Sequence, residues 1–306
     1  MRIAAINCGT NTVHLIVGDL SPKGVQVVDH QVATPRLGRG LPRTGVLDSH
    51  ASEDTLRALH AFQERAAELG AEQVVAAGTE ALRGARNAQD FIDCVHALGI
   101  PLRTITVQQE VLLTFLAACY VAGGPGEVTL IDLGGGSTEI VIGKGGVPTD
   151  WASLPFGSTY LTERFAESGD LVGEVRAAVG EAISEAPEPR GTVVLSGWTA
   201  NTVMGAVADA RRVAQELERQ PPNGVVQVDA RDFLSLLELH IDRSEEELAA
   251  MPWVGPERAK VLRAGAIALD VLCDRPTVKQ VTVTPFGLCL GLLLDAAPAL
   301  ESSTQG

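Results

Sequence analysis

Aromatic side chains are scarce in this sequence: 7 Phe, 3 Trp and 2 Tyr make up 4% of 306 residues. The interior must therefore be built from aliphatic and alanine side chains. Basic residues are also in deficit, with 24 Lys and Arg against 38 Asp and Glu and a formal net charge of −14. That balance argues against a nucleic-acid binder working by bulk phosphate neutralisation. It also requires any anionic ligand to be held by local means, such as backbone amides, a few arginines or a divalent cation. Cys8, Cys94, Cys119, Cys273 and Cys289 form no CxxC and are odd in number, which reads as buried free thiols in a reducing compartment. The six histidines contain no HxH or HxxxH pair, so a histidine zinc site is not expected. There is no apolar run of about 20 residues and no signal-type apolar opening. A cytoplasmic protein with no membrane span is the expectation.

What is present is a repeated pattern. Strands are predicted over 2–8, 12–20 and 25–33, followed by a Gly/Pro/Arg loop, TPRLGRGLPRTGVL, over 34–47. Ser52 is placed as the cap of a helix stopped at Gly70, and Asn87 as the cap of a helix stopped at Gly99. Buried strands are predicted at 74–78 and 103–107, and a helix over 109–121. The pattern then restarts, with "IAAINCGTNTVHLIVG" lying against "VTLIDLGGGSTEIVIG" and Asn7 against Asp132, an offset of 132 − 7 = 125 residues. Helices are predicted over 158–167, 171–185, 199–219, 256–273 and 287–296, with a strand at 193–197 and a capping box at Ser244–Glu247. The expected fold is α/β, with duplicated domains over 1–122 and 123–306 facing each other across a cleft. Gly123–Gly126 would be the hinge, and the last helix would pack back on the first domain.

The glycine-led turns between buried strands carry the chemistry. IDLGGGSTEIVIG is no Walker loop, and its glycines precede a strand rather than the helix of a dinucleotide fingerprint. A hairpin tip with three glycines exposes successive backbone N–H groups, a nest for anionic oxygens. Ser137 and Thr138 add hydroxyls, and Asp132 at the strand end suits a hydrated Mg²⁺. Arg36, Arg39 and Arg43 in the long loop read as solvated charges, and Arg211-Arg212 as surface residues.

These residues resemble the Ppx/GppA phosphatase family of exopolyphosphatases and guanosine pentaphosphate phosphohydrolases. The resemblance runs through INCGTNTVHLIV (6–17), PRLGRGL (35–41), GTEALRGARN (78–87), QQEVLLTF (108–115), LIDLGGGSTEIV (130–141), SLPFGSTYLTERF (153–165) and PERAKVLRAGAIAL (256–269). It implies the actin/sugar-kinase, ribonuclease H-like fold in its short two-domain form. It assigns Gly9, Thr10, Asn11 and Thr12 to a first phosphate loop, and Gly134, Gly135, Gly136, Ser137 and Thr138 to a second. Arg83 would face phosphate, Glu110 would be the base for the attacking water, and Asp132 with Glu139 would hold Mg²⁺ or Mn²⁺. Glu139 would assist the metal or the water. Polyphosphate or a guanosine polyphosphate is the implied ligand, and pairing of two copies is also implied.

The sequence departs from the family pattern near this chemistry. Asn7 stands where the family has Asp, Val107 where it has Gly, Gln109 where it has an acid, Lys260 where it has Asp, and Cys289-Leu290 where it has Arg-Glu. A unit charge about 4 Å from a metal is worth about 4 kcal/mol at an effective dielectric of about 20, so Asn7 bears most directly on activity. Val107 is β-branched where glycine could take a positive φ, which would shift the loop bearing Glu110. Two alternatives to a hydrolase therefore stand. One is a non-catalytic binder of the same ligands. The other is an ATP-using relative with its adenosine site at SGWTANTVMG (196–205).

Overall fold

The computed structural model describes residues 1–21, 24–205 and 225–296. The expected helix continuation to residue 219, the Arg211-Arg212 pair and residues 297–306 lie outside them. The chain divides into unit 1, Met1–Ala117 with the chain from Phe286 onward, and unit 2, Ala118–Pro285.

Unit 1 begins with β1 (Arg2–Cys8), β2 (Val13–Ser21) and β3 (Gly24–Ala33), an antiparallel meander. After α1 (Leu41–Thr44) and α2 (Ser49–Glu68) come β4 (Gln73–Gly78), α3 (Glu80–Gly84), α4 (Ala88–Ala97), β5 (Leu102–Thr104) and α5 (Val107–Ala122). The sheet order is β3-β2-β1-β4-β5, with β4 parallel to both β1 and β5. Ala4, Ile6, Cys8, Val13, Leu15 and Val17 present one sheet face to Leu59, Phe62, Phe91 and Val95, the period-2 alternation of a half-buried sheet against helix stripes. The cap of α2 is Asp48, whose carboxylate accepts from Ala51 N, not the expected Ser52.

Unit 2 repeats the plan with β6 (Glu127–Leu133), β7 (Thr138–Lys144), β8 (Val147–Leu154), α6 (Ser158–Arg164), α7 (Leu171–Ala182) and β9 (Thr192–Ser196). A helix α8 is described over 198–205. Then follow β10 (Val226–Asp229), α9 (Ala230–Ile241), α10 (Glu245–Ala249), α11 (Pro256–Cys273) and β11 (Gln280–Val283). The order is β10-β11-β9-β6-β7-β8. Read from β8, it is the order of unit 1 with the same directions and one antiparallel edge strand added. The duplication expected from the two hairpins is therefore present in topology. β8 and β10 were not foreseen, because as edge strands their half-polar patterns resemble loop sequence.

The break falls within α5, and α12 (Gly287–Ala296) returns to unit 1. The physical reason is the all-round apolarity of α12. Leu288, Cys289, Leu290, Leu292 and Leu293 are all buried, and the helix lies on β1, β2 and β4. Gly291 makes this possible, since a Cβ there would stand 2.1 Å from the Leu113 carbonyl oxygen of α5.

Candidate functional site

Each unit carries its glycine turn at the end of a central strand, beside the C-terminal end of the parallel neighbour, where ligands of open α/β sheets bind. In unit 1, Gly9 N donates to Thr12 O at 3.0 Å, and in unit 2 Gly134 N donates to Ser137 O at 3.0 Å. The two turns are thus closed by the same bond. Their carbonyls are anchored too. Thr10 O accepts from Gly38 N at 2.8 Å and Asn11 O from Arg36 N at 3.0 Å. Gly134 O accepts from Ser158 N at 3.0 Å, and Gly135 O from Thr159 N at 2.9 Å and Tyr160 N at 3.0 Å. In a trans peptide the C=O and the following N–H point in opposite directions. The amides of Asn11 and Thr12, and of Gly135 and Gly136, are therefore turned away from these anchors, as an anion nest requires. Gly157 permits the second anchor, because a Cβ there would lie 2.4 Å from Gly135 C.

Three of the loop hydroxyls bond to protein atoms. Thr138 is fully buried and its Oγ1 donates to Phe156 O at 2.7 Å, so it fixes the second loop from beneath. Thr10 Oγ1 donates to Glu80 at 2.8 Å, and Thr12 Oγ1 pairs with His14 Nε2 at 2.9 Å. Asn11 is buried with its Oδ1 lacking a hydrogen-bond partner.

Unit 1 brings Arg83 and Glu110 together. Arg83 Nη1 donates to Glu110 Oε2 at 2.7 Å and to Ile105 O at 3.1 Å, and the two side chains are only 19% and 12% exposed. Arg83 lies one turn along α3 from Glu80, whose carboxylate accepts from Thr10, so one short helix carries the arginine and anchors the first loop. Glu110 sits in the first turn of α5. That turn is set by a reciprocal cap: Gln109 N donates to Thr106 Oγ1 at 3.1 Å and Thr106 N to Gln109 Oε1 at 3.0 Å. Gln109 therefore has a structural task beside the carboxylate. Val107 takes no positive φ, since Arg36 (φ 58°) is the one non-glycine residue with positive φ among the described residues. Asn87 stands at the N-cap of α4 as expected, but its side chain makes no capping hydrogen bond. Its Oδ1 accepts from Leu47 N at 2.8 Å and its Nδ2 donates to Leu47 O at 3.3 Å, tying down the end of the long loop.

Asn7 stands opposite His14 across β1 and β2, and its Oδ1 is buried without a hydrogen-bond partner. Its neighbour from α12 is Cys289, whose thiol interacts with the Asn7 backbone, donates to His14 O at 3.7 Å and is pushed up to about 12 by burial. A buried, neutral thiol therefore lies against the Asn7 backbone. His14, Glu80, Ser153 and Ser196 were not singled out in the sequence. A fixed hairpin register is the signal that finds His14, opposite Asn7 across a four-residue turn.

Unit 2 opposes Asp132 and Glu139 directly across β6 and β7. Glu139 is buried and accepts from Ser153 Oγ at 2.8 Å. Burial raises the Asp132 carboxyl above its ordinary range, and Ser196 partly offsets this. Ser196 Oγ makes no well-formed hydrogen bond to a protein atom. Two hard carboxylates and a buried, unsatisfied hydroxyl fit a divalent cation that takes the rest of its ligands from water and phosphate. Among the described residues no group of three or more His, Cys, Asp or Glu could hold a metal by itself.

Residues 16–300 match the Ppx/GppA phosphatase family. The Aquifex aeolicus member of that family is 26% identical, with a TM-score of 0.77 over 99% of this chain and 98% of that one. A second structure, of the Aquifex aeolicus PPX-GPPA enzyme, is 28% identical, with a TM-score of 0.75 over 96% and 99% of the two chains. An exopolyphosphatase from Cytophaga hutchinsonii matches with a TM-score of 0.86 over 98% of each chain at 21% identity, a likeness of fold.

Proposed function

The chain belongs to the Ppx/GppA phosphatase family, and from that premise we propose that it is a divalent-cation-dependent phosphohydrolase. It releases terminal phosphate from inorganic polyphosphate or guanosine pentaphosphate. The observation that carries this reading is the Arg83–Glu110 pair at 2.7 Å, with Arg83 on the short helix whose Glu80 accepts from Thr10 of the first loop. Phosphoryl transfer to water asks a protein mainly for positioning and charge neutralisation. The turned-out amides of 11–12 in unit 1, and separately those of 135–136 in unit 2, are donors suited to phosphate oxygens. Glu110 accepts the proton of the attacking water, and Arg83 keeps that carboxylate in place through two bonds. Asp132 and Glu139 would hold Mg²⁺ or Mn²⁺, which when bound supplies charge neutralisation on the phosphate oxygens. Pairing of two copies and a cytoplasmic location belong to the same reading. Among the described residues no helix is long and apolar enough to cross a membrane.

The test is phosphate release from long-chain polyphosphate and from guanosine pentaphosphate, with and without Mg²⁺, for the native chain and Glu110→Gln. Metal-dependent release that falls at least about a hundredfold in the variant supports the reading. A native chain that releases nothing, yet melts higher with polyphosphate, points to the binder instead. The neutral Asn7–Cys289 pair favours that second reading. An ATP-using relative is disfavoured at 196–205. There the Gly197 turn is tied by Asn201 Nδ2 to Gly197 O at 2.7 Å and Thr284 O at 2.9 Å, and the Trp198 ring is covered by Arg258 at 3.7 Å.

A further inference from the structure

One register line crosses four adjacent strands of unit 2. Ser153 on β8 is opposite Glu139 on β7, Glu139 is opposite Asp132 on β6, and Asp132 is opposite Ser196 on β9. Residues directly opposite in a sheet share a face with Cβ atoms about 5 Å apart, and like charges in that position repel. The two carboxylates are thus forced together by register, with a hydroxyl on either flank. Ser153 donates to Glu139 at 2.8 Å. Ser196 is 1% exposed, and its hydroxyl has no well-formed partner. The duplicated sheet of unit 1 supplies the contrast. Its equivalent line reads Val32, His14, Asn7 and Ala77. Carboxylates and flanking hydroxyls are absent from that line together, although the topology is the same.

We propose that Ser153 and Ser196 are positioning residues for a divalent cation held wholly within unit 2, Ser153 through its bond to Glu139 and Ser196 as the buried hydroxyl beside Asp132 on the same register line. The inference rests on the cation-dependent hydrolase reading and deepens it. An oxygen-only donor set with two carboxylates takes a hard cation such as Mg²⁺ or Mn²⁺. Groups that hold a ligating carboxylate typically affect metal affinity by about 10–100-fold. Without Ser153, Glu139 loses that hydrogen bond. Without Ser196, Asp132 loses the polar flank on its other side.

The experiment titrates the full chain with Mn²⁺, free of substrate, and follows unbound Mn²⁺ by electron paramagnetic resonance. Native protein is compared with Ser153→Ala, Ser153→Thr and Ser196→Ala, with melting curves in EDTA as the check on folding. The expected result is Mn²⁺ binding weakened about tenfold or more in both alanine variants and restored in Ser153→Thr, with metal-free melting little changed. Native affinity in both alanine variants overturns the inference. So does a native chain that binds no Mn²⁺. In that case, phosphate release in EDTA leaves the hydrolase reading standing without its cation. Native Mn²⁺ binding weakened by the serine variants, with no phosphate release from any substrate, supports the cation site and overturns the hydrolase reading instead.

Discussion

Arg83 and Glu110 were each assigned a task from the sequence, but the bond between them is a property of the folded chain. The guanidinium that was expected to face phosphate also holds the carboxylate expected to take a proton from water. Removing one partner of a largely buried ion pair leaves the other without compensation, which costs about 3 kcal/mol or more. Arg83→Ala is therefore expected to lower both stability and kcat, the latter by about a hundredfold or more, with a smaller change in KM. Denaturant melts and steady-state phosphate release measure the two effects. Asn7 is the second such position. An acid there would place a carboxylate where the Asn7 Oδ1 is buried without a hydrogen-bond partner. Asn7→Asp is expected to cost about 1–3 kcal/mol at neutral pH and to bring no gain in rate. The introduced acid would have a folded pKa above its unfolded one. Its penalty should therefore be full above the folded pKa and fade as pH falls towards the unfolded value near 4. A rise in rate without loss of stability would contradict this account.

At the scale of elements, short helices serve the loops. α6 has seven residues, and its leading amides take the carbonyls of Gly134 and Gly135. α3 has five and carries both Glu80 and Arg83. The closeness of α6 to its loop depends on one missing side chain. Gly157→Ala would bring a Cβ to 2.4 Å from Gly135 C and 2.6 Å from Gly135 O, so the loop or the helix must move. Overpacking of this kind typically costs about 1–3 kcal/mol. The variant is expected to lose phosphate release by a larger factor than its stability loss explains. Activity measured well below the melting temperature separates the two. The capping box at Ser244–Glu247 was legible because its four residues are contiguous and its pattern is local. The cap of α5 at Thr106 and Gln109 follows the same local rule, yet it was obscured by reading Gln109 only as a missing acid.

At the scale of the whole molecule, the chain of unit 1 is discontinuous. α12 closes the sheet that opens the sequence, so β1, β2 and β4 lose an apolar cover if the chain stops early. A chain ended after Pro285 is expected to be poorly soluble, because the strands beneath α12 include fully buried Ile3, Ala5 and Ile16. Soluble yield and gel filtration against the full chain test this. Recovery of a soluble, folded shortened chain would mean that α12 is dispensable to unit 1.

The sequence by itself determined the two hairpins, their glycine turns, the duplication and the family, because each of these is written in contiguous residues or in a strict alternation of apolar and polar positions. It also marked Asn7 and Cys289 as departures without showing that they meet. The tertiary structure decided which residues meet across long separations. Arg83 with Glu110, Asn87 with Leu47, Asn7 with Cys289 and Ser153 with Glu139 are set by strand register and by helices folding back onto a sheet. Local propensity does not encode those distances, since a residue's partner there depends on how two remote segments pack rather than on its neighbours in the chain.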